Sequence, residues 1–234
     1  MAKINDAKNI IVGAAPVYIS VKDSTDPTYT ENLLDGGTIT LVNGTTAATT
    51  LNAAASVRNV GFTNNGLQIT YNPTYEDVTV DQLLDAAKLF KSAMQVMIMT
   101  EMTEGTLQNV LTVFGQKSDT LKKSGSASTD QYAGTSADLT LGLEAGALGS
   151  APTERQLFAV GQAPTYKSGS PETSATTERV YYARRVLSVQ QSQFTLARNT
   201  PTTFPVTFRL LPDANYAGAE YGKIIDRTSG TAWN

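Results

Sequence analysis

The chain contains no cysteine and no histidine. Their absence removes disulfide frameworks, thiolate and imidazole metal sites, Ser-His-Asp triads and Cys-His nucleophiles. Charge is scarce as well. Asp, Glu, Lys and Arg make up 17% of the residues, against roughly a quarter in an ordinary soluble domain. A net charge of −3 and a sequence pI near 5.0 disfavour a nucleic-acid grip, which needs clustered Lys and Arg to neutralise phosphates. Long apolar runs are also missing: the charge-free stretch Gly36–Val57 is mostly Gly, Thr, Ala and Asn, too polar for a bilayer core. The opening Met-Ala-Lys-Ile-Asn-Asp lacks the basic-then-apolar pattern of a signal peptide, so the expected site of residence is the cytoplasm, or export by a route without a signal. What survives is carboxylate-only chemistry, backbone anion binding, or no chemistry.

What is present is small and suited to strands. Thr occurs 33 times and Gly 18 times among 234 residues, and a chain of this size buries about 70% of its extended surface in one large domain. A single domain spanning 1–234 is expected, with flexible loops near 22–37, 117–135 and 166–178. Asn9–Val21 reads as a strand interrupted before Pro16, and Thr38–Val42 as a short strand closed by the turn dipeptide Asn43-Gly44. Val57–Val80 reads as half-buried strands around a tight turn at Asn64-Asn65-Gly66, because Leu67, Ile69 and Tyr71 alternate with Gln68, Thr70 and Asn72. Asp81–Phe90 fits a short helix, although its flanks read as sheet. Ala93–Met102 is a long strand holding Met94, Met97, Met99 and Met102, more readily core filling than a ligand stripe.

One helix is clear. Leu107, Val110, Leu111 and Phe114 fall at i, i+3, i+4 and i+7, with Thr103 as N-cap and Gly115 at the C′ position. These four form the candidate helix–sheet core, and Gln108, Asn109 and Thr112 form the exposed polar face. Further strands are expected around Leu139–Leu143, Gln156–Gly161, Arg179–Val189, Gln193–Ala197 and Thr203–Leu211. The class is mainly β: two packed sheets, as a sandwich or barrel, flanked by one α-helix.

Catalytic constellations are weak. Glu76, Asp77 and Asp81 lie close in sequence, but neighbouring strand residues point to opposite faces, so they suit solvated strand ends better than a glycosidase pair. Arg184-Arg185 after Tyr181-Tyr182 suits a two-sided or interfacial strand better than a nucleic-acid patch. Asp213 and Asp226 stand alone as candidate calcium ligands. No cofactor or metal is expected, and the chain is not expected to be an enzyme.

Two blocks carry a resemblance. The first runs Val60-Gly61-Phe62-Thr63-Asn64-Asn65-Gly66-Leu67, then Tyr75–Gln82, then Glu101-Met102-Thr103-Glu104-Gly105-Thr106-Leu107-Gln108-Asn109-Val110. The second runs Arg198-Asn199, Thr203–Asp213 and Tyr221-Gly222-Lys223-Ile224-Ile225-Asp226. In their order of turn, strand, helix and closing strand they resemble the major tail tube proteins of long-tailed (siphovirus-type) bacteriophages. The resemblance covers about half the chain.

It implies a tail-tube fold of two packed sheets and a helix, with subunits expected to form hexameric rings that stack into a hollow tube in the virion tail. DNA would pass through the lumen without specific binding, after synthesis of the subunit in the host bacterial cytoplasm. Partners would be copies of the same chain and the tape measure, terminator and distal tail proteins, with no membrane. By the same resemblance Glu76, Asp77 and Glu101 are candidate lumen-facing charges, with Lys88 and Lys91 counting against a simply acidic lumen. Ile4, Leu41, Val42 and Leu51 are candidate ring–ring contacts. The competing expectation is a carbohydrate- or surface-binding β-sandwich, which the lone Trp233 supports poorly.

Overall fold

The computed structural model describes residues 15–27, 29, 31, 33, 57–79, 81, 85–123, 139–163, 177–189, 192–196, 198–199 and 201–228. In chain order these form β1 (Val17–Ser20), β2 (Val57–Asn59), β3 (Thr63–Val78), β4 (Lys88–Met102), α1 (Leu107–Val113), a 3-10 turn (Ser118–Thr120), β5 (Leu121–Lys123), β6 (Leu139–Leu141), β7 (Arg155–Gln162), β8 (Thr177–Ser188), β9 (Phe204–Leu210) and β10 (Gly222–Thr228). The chain is mainly β. A large antiparallel sheet of eight strands is accompanied by the small β5–β6 sheet and by one helix.

The large sheet runs β2-β1-β7-β8-β9-β4-β3, with β10 also pairing β8. Its two end strands, β2 and β3, are consecutive in the chain. Val60 N donates to Val17 O of β1 at 3.0 Å, and Thr103 N, just beyond β4, donates to Phe62 O at 3.0 Å. One bent segment therefore pairs at both ends of the strand order, and the sheet returns on itself as a barrel. Closure of this kind removes sheet edges that would otherwise be open.

The interior follows from alternation. Val17 and Ile19, Leu157 and Ala159, Ala183, Val96 and Ile98, and Phe204, Val206, Phe208 and Leu210 make one buried cluster. A second cluster, built on Tyr18, Phe158, Val160, Val180 and Tyr182, takes the residues of opposite parity from β1, β7 and β8. These three strands are thus apolar on both faces, as strands covered on both sides must be.

Closure depends on the joint between β2 and β3. Gly61 has φ +85°, and a Cβ there would fall on the Glu104 carboxylate, whose Oε1 accepts from Phe62 N at 3.0 Å. Asn109, on the first turn of α1, donates to Val60 O at 2.8 Å and Glu104 O at 2.9 Å. Arg58 donates to Asn109 Oδ1 at 2.5 Å, and to Gln108 O and Thr112 Oγ1, each at 2.8 Å. The Gly61 and Glu104–Asn109 motifs, read separately in the sequence, are two halves of one contact.

This joint corrects three expectations about the helix. Asn109 and Thr112 are buried rather than exposed, because they receive Arg58 and brace the bent strand. The N-cap is Thr106, whose hydroxyl accepts from Asn109 N, whereas Thr103 donates its hydroxyl to Phe62 O. Phe114 is the C-cap and is 37% exposed, while Leu111 is buried and Leu107 and Val110 are half-buried. Gly115 does adopt the left-handed conformation, at φ +62°.

Other segments differ as well. Ser118–Lys123, read as the start of a loop, forms the 3-10 turn and β5, with Leu121 buried. Lys88–Phe90, read as a helix end, opens β4. Residues 192–196 form no strand, since Phe194 turns inward against Phe114 and Phe204 at centroid distances of 6.1 and 4.8 Å. β10 was not among the expected strands. The expected strand at Thr38–Val42, its Asn43-Gly44 turn, residues Asn9–Val12 and most of the 166–178 loop lie outside the described residues.

β10 enters through Gly222 at φ +146°, where a Cβ would collide with the backbone carbonyl of Tyr182. Gly222→Ala is therefore expected to cost about 2–4 kcal/mol, through strain and overpacking of backbone on backbone. The measurement is a urea midpoint together with amide exchange across 222–228. An unchanged midpoint with unchanged protection would contradict this account of β10.

Candidate functional site

β3 and β4 are far longer than the barrel they belong to. They pair from Thr63↔Met102 to Val78↔Lys88, but β9 accompanies β4 only from Met102 down to Met97. Beyond that point, among the described residues, the two strands have only each other in the sheet, and they project as a two-stranded arm whose outer backbone edges pair with no described strand.

The two faces of the arm differ. Ile69 lies opposite Ile98, and Tyr71 opposite Val96; opposed residues of an antiparallel pair share a face. Ile98 and Val96 belong to the barrel core, so the core-side face continues outward through Ile69, Tyr71, Pro73 and Tyr75. Lys91 and Leu89, opposite Tyr75 and Asp77, extend it, and Lys91 Nζ sits 5.7 Å from the centre of the Tyr71 ring. Tyr71, Tyr75 and Leu89 are 64%, 58% and 63% exposed. The other face carries Gln68, Thr70, Asn72, Thr74 and Glu76, opposite Met99, Met97, Gln95, Ala93 and Phe90.

The alternation read in this stretch is present, and Leu67 is half-buried against the core, but burial stops there. Ile69 and Tyr71 have the periodicity of a covered strand and lie open to solvent, because the barrel ends before their row does. Contiguous exposed apolar surface of this kind marks a contact site.

A bulge fixes the root of the arm. Asn64 pairs with Glu101 and Gln68 with Met99, so β3 carries extra residues there. Asn65 and Gly66 take them up at φ +58° and +68°. Asn64-Asn65-Gly66 is therefore a bulge within one strand rather than a turn between two. Glu101 holds it: Oε2 accepts from Asn65 Nδ2 at 2.6 Å and Asn64 Nδ2 at 3.2 Å, and Oε1 accepts from Thr203 Oγ1 at 2.5 Å. Thr100 Oγ1 donates to Gly66 O at 3.2 Å.

The expected site residues thus fall in different places. Glu76 lies on the polar face of the arm and Asp77 on the apolar one, both exposed, while the Glu101 carboxylate is engaged at the root. Ile4, Leu41, Val42 and Leu51 lie outside the described residues. Asp226 is bound by Arg179 through two contacts of 2.6 and 2.7 Å, and this hydrogen-bonded guanidinium holds its carboxyl below the ordinary range. Asp213 is buried and caps its own turn through Asn215 N. Among the described residues no group of three or more acidic side chains is placed to hold a metal ion.

Buried polar groups were the main feature not anticipated from sequence. Arg184 is 1% exposed and stacks 3.7 Å from the centre of the Tyr216 ring, donating to Ala219 O at 3.0 Å. Arg185 clamps Glu154 at 2.6 and 2.7 Å, beside a cavity of about 340 Å³ that Tyr29, Glu31 and Asp213 also line. Burial pushes the Tyr29 hydroxyl up to about 12; it receives a hydrogen bond from Gln156.

The deepest ion pair is structural. Asp23 is fully buried and accepts from Thr25 N, Thr25 Oγ1, Ser118 N and Arg155. Arg155 also donates to Ser20 O, Val21 O and Gln116 O. The pair therefore ties β1 and β7 to the segment after α1. Burial pushes the Asp23 carboxyl up, but the Thr25 and Ser118 hydrogen bonds and the Arg155 charge outweigh it and hold it below 3.8.

A lowered folded pKa stabilises above the unfolded value and is lost as pH falls through the folded value. Asp23→Asn should accordingly cost about 3 kcal/mol near neutral pH, and the gap from wild type should close below pH 3.8. Urea unfolding at neutral and strongly acidic pH measures it; a gap that widens on acidification would refute the assignment.

No described helix is long and apolar enough to cross a membrane. No protein-family model matches the chain, and no curated protein matches it.

Proposed function

We propose that this chain is a structural subunit that assembles into stacked rings, forming the hollow tail tube of a long-tailed bacteriophage. The arm carries this reading: its paired strands extend past their own barrel with two open edges and one bare apolar face. A monomer gains nothing from such a ribbon, whereas a ring pairs or covers the edges of every copy. The resemblance of its motif order to tail tube proteins supports a tail tube as that assembly, and the Gly61–Glu104–Asn109 joint offers a physical reason for that order.

In this reading the polar arm face lines the lumen. Gln68, Thr70, Asn72, Thr74 and Gln95 offer amides and hydroxyls, and Glu76 and Lys88 carry opposite charges on the same face. Such a surface passes DNA without the clustered cations that would retain it. Asp77, on the other face, belongs to a contact between subunits rather than to the lumen.

Electron microscopy of concentrated purified protein tests the reading. Rings or hollow tubes are expected; a persistent monomer that binds glycans would favour a surface-binding β-sandwich and sink the proposal. Two substitutions divide the arm. Leu89→Asp should abolish rings while changing folding stability by less than about 0.5 kcal/mol, as an exposed site allows. Glu76→Lys should keep both fold and rings. If Leu89→Asp assembles normally, the apolar face is not the assembly surface.

A further inference from the structure

β10 presents a second open apolar corner on the same side of the sheet as the bare face of the arm. Val17, Ala159, Tyr181 and Ile224 lie in one cross-strand row. The first two are buried in the barrel core and Tyr181 packs partly against it. Ile224, at the end of the row, is 67% exposed, and among the described residues β10 pairs with β8 alone. Arg179 and Asp226 lie two residues further along the same face and form an ion pair there. The corner is thus an isoleucine and a tyrosine flanked by one positive and one negative group.

The arm has matching chemistry. Its apolar face centres on Ile69, Tyr71, Tyr75 and Leu89, and carries Lys91 and Asp77 among them. We infer that the apolar face of the arm docks on the Tyr181–Ile224 corner of a second copy of this chain, with Lys91 and Asp77 set against Asp226 and Arg179. The inference rests on the assembly reading above and names the partner surface within it.

Three considerations select this occupant. Each copy has both patches exposed, and an arm-to-arm contact would leave the β10 corner bare on every subunit. A head-to-tail contact covers both at once and repeats from copy to copy, which closes a ring or propagates a stack. Each patch also carries one charge of each sign, so the two can meet without placing like charges together. Finally, both patches adjoin open strand edges, so main-chain pairing can accompany side-chain contact. The contact recurs at every subunit, so it should hold through repetition around a ring rather than as a free dimer.

The absence of native cysteine makes the test direct. Tyr75→Cys and Ile224→Cys are made separately in the full chain, mixed in equal amounts at assembling concentration, and treated with a short bismaleimide. The expected result is a 75–224 cross-link several-fold above the share given by random pairing. Predominance of 75–75 links, or no excess of the mixed link, overturns the docking inference. Microscopy of the same mixture before cross-linking separates the two levels. Tubes without the mixed link would remove this docking and leave the tube reading standing. The mixed link without rings would keep the docking and remove the tube.

Discussion

The structure turns on one bent segment, Val57 to Val78, which pairs with β1 at its start and with β4 along the rest. A strand that serves both ends of a sheet must bend sharply between them. The bend sits at Gly61, where the Glu104 side chain occupies the space a Cβ would need. Arg58 and Asn109 then fasten the bend to α1. The helix is only a short one and contributes little intrinsic stability. Its role is to present backbone and side-chain acceptors to Arg58 and an amide to Val60 O. Without that brace the barrel would be an open sheet with two exposed ends.

Closing the barrel near the start of β3 frees the rest of the strand. The interval from Gln68 to Val78 is not needed to complete the ring of strands, yet β4 pairs with it over its length. A two-stranded ribbon is marginal alone in water, and one that exposes two tyrosines and a leucine has an apolar face to cover as well. The Glu101 clamp at the bulge sets the direction in which the ribbon leaves the body. The same pair of strands closes the core at one end and offers an uncovered core face at the other.

Much of this was legible as pattern. Alternation at Leu67–Asn72 and the periodic stripe of Leu107–Phe114 located a strand and a helix, and the absence of His and Cys removed chemistry that needs an imidazole or a thiol. Long-range partnership was not legible. Asn109 and Thr112 fall on the polar side of the helix by periodicity, and only the approach of Arg58 from another strand explains their burial. Asp23 reads as a turn residue, and it is one, with Thr25 N on its Oδ1; Arg155, distant in sequence, makes it a buried ion pair as well. Phe194 has strand neighbours in sequence and aromatic neighbours in space. Local pattern reports which residues are amphipathic, whereas the covering surface comes from elsewhere in the chain or from another chain.

That distinction bears on the assignment of charge along the arm. Glu76 and Asp77 are adjacent and chemically alike, so composition treats them as one acidic feature. The pairing register separates them, placing Glu76 opposite Phe90 and Asp77 opposite Leu89, beside Tyr75 and Lys91. A carboxylate on an apolar face keeps its charge without penalty only while solvent or a cation stays near. Lys91, opposite Tyr75 and above the Tyr71 ring, lies on that same face. In the proposed assembly, covering the face would bring both charges into the contact, where they would select a partner with complementary groups and disfavour an apolar surface lacking them. Each face of the arm carries one acid and one lysine, Glu76 with Lys88 and Asp77 with Lys91, so the register and not the charge count tells the two faces apart.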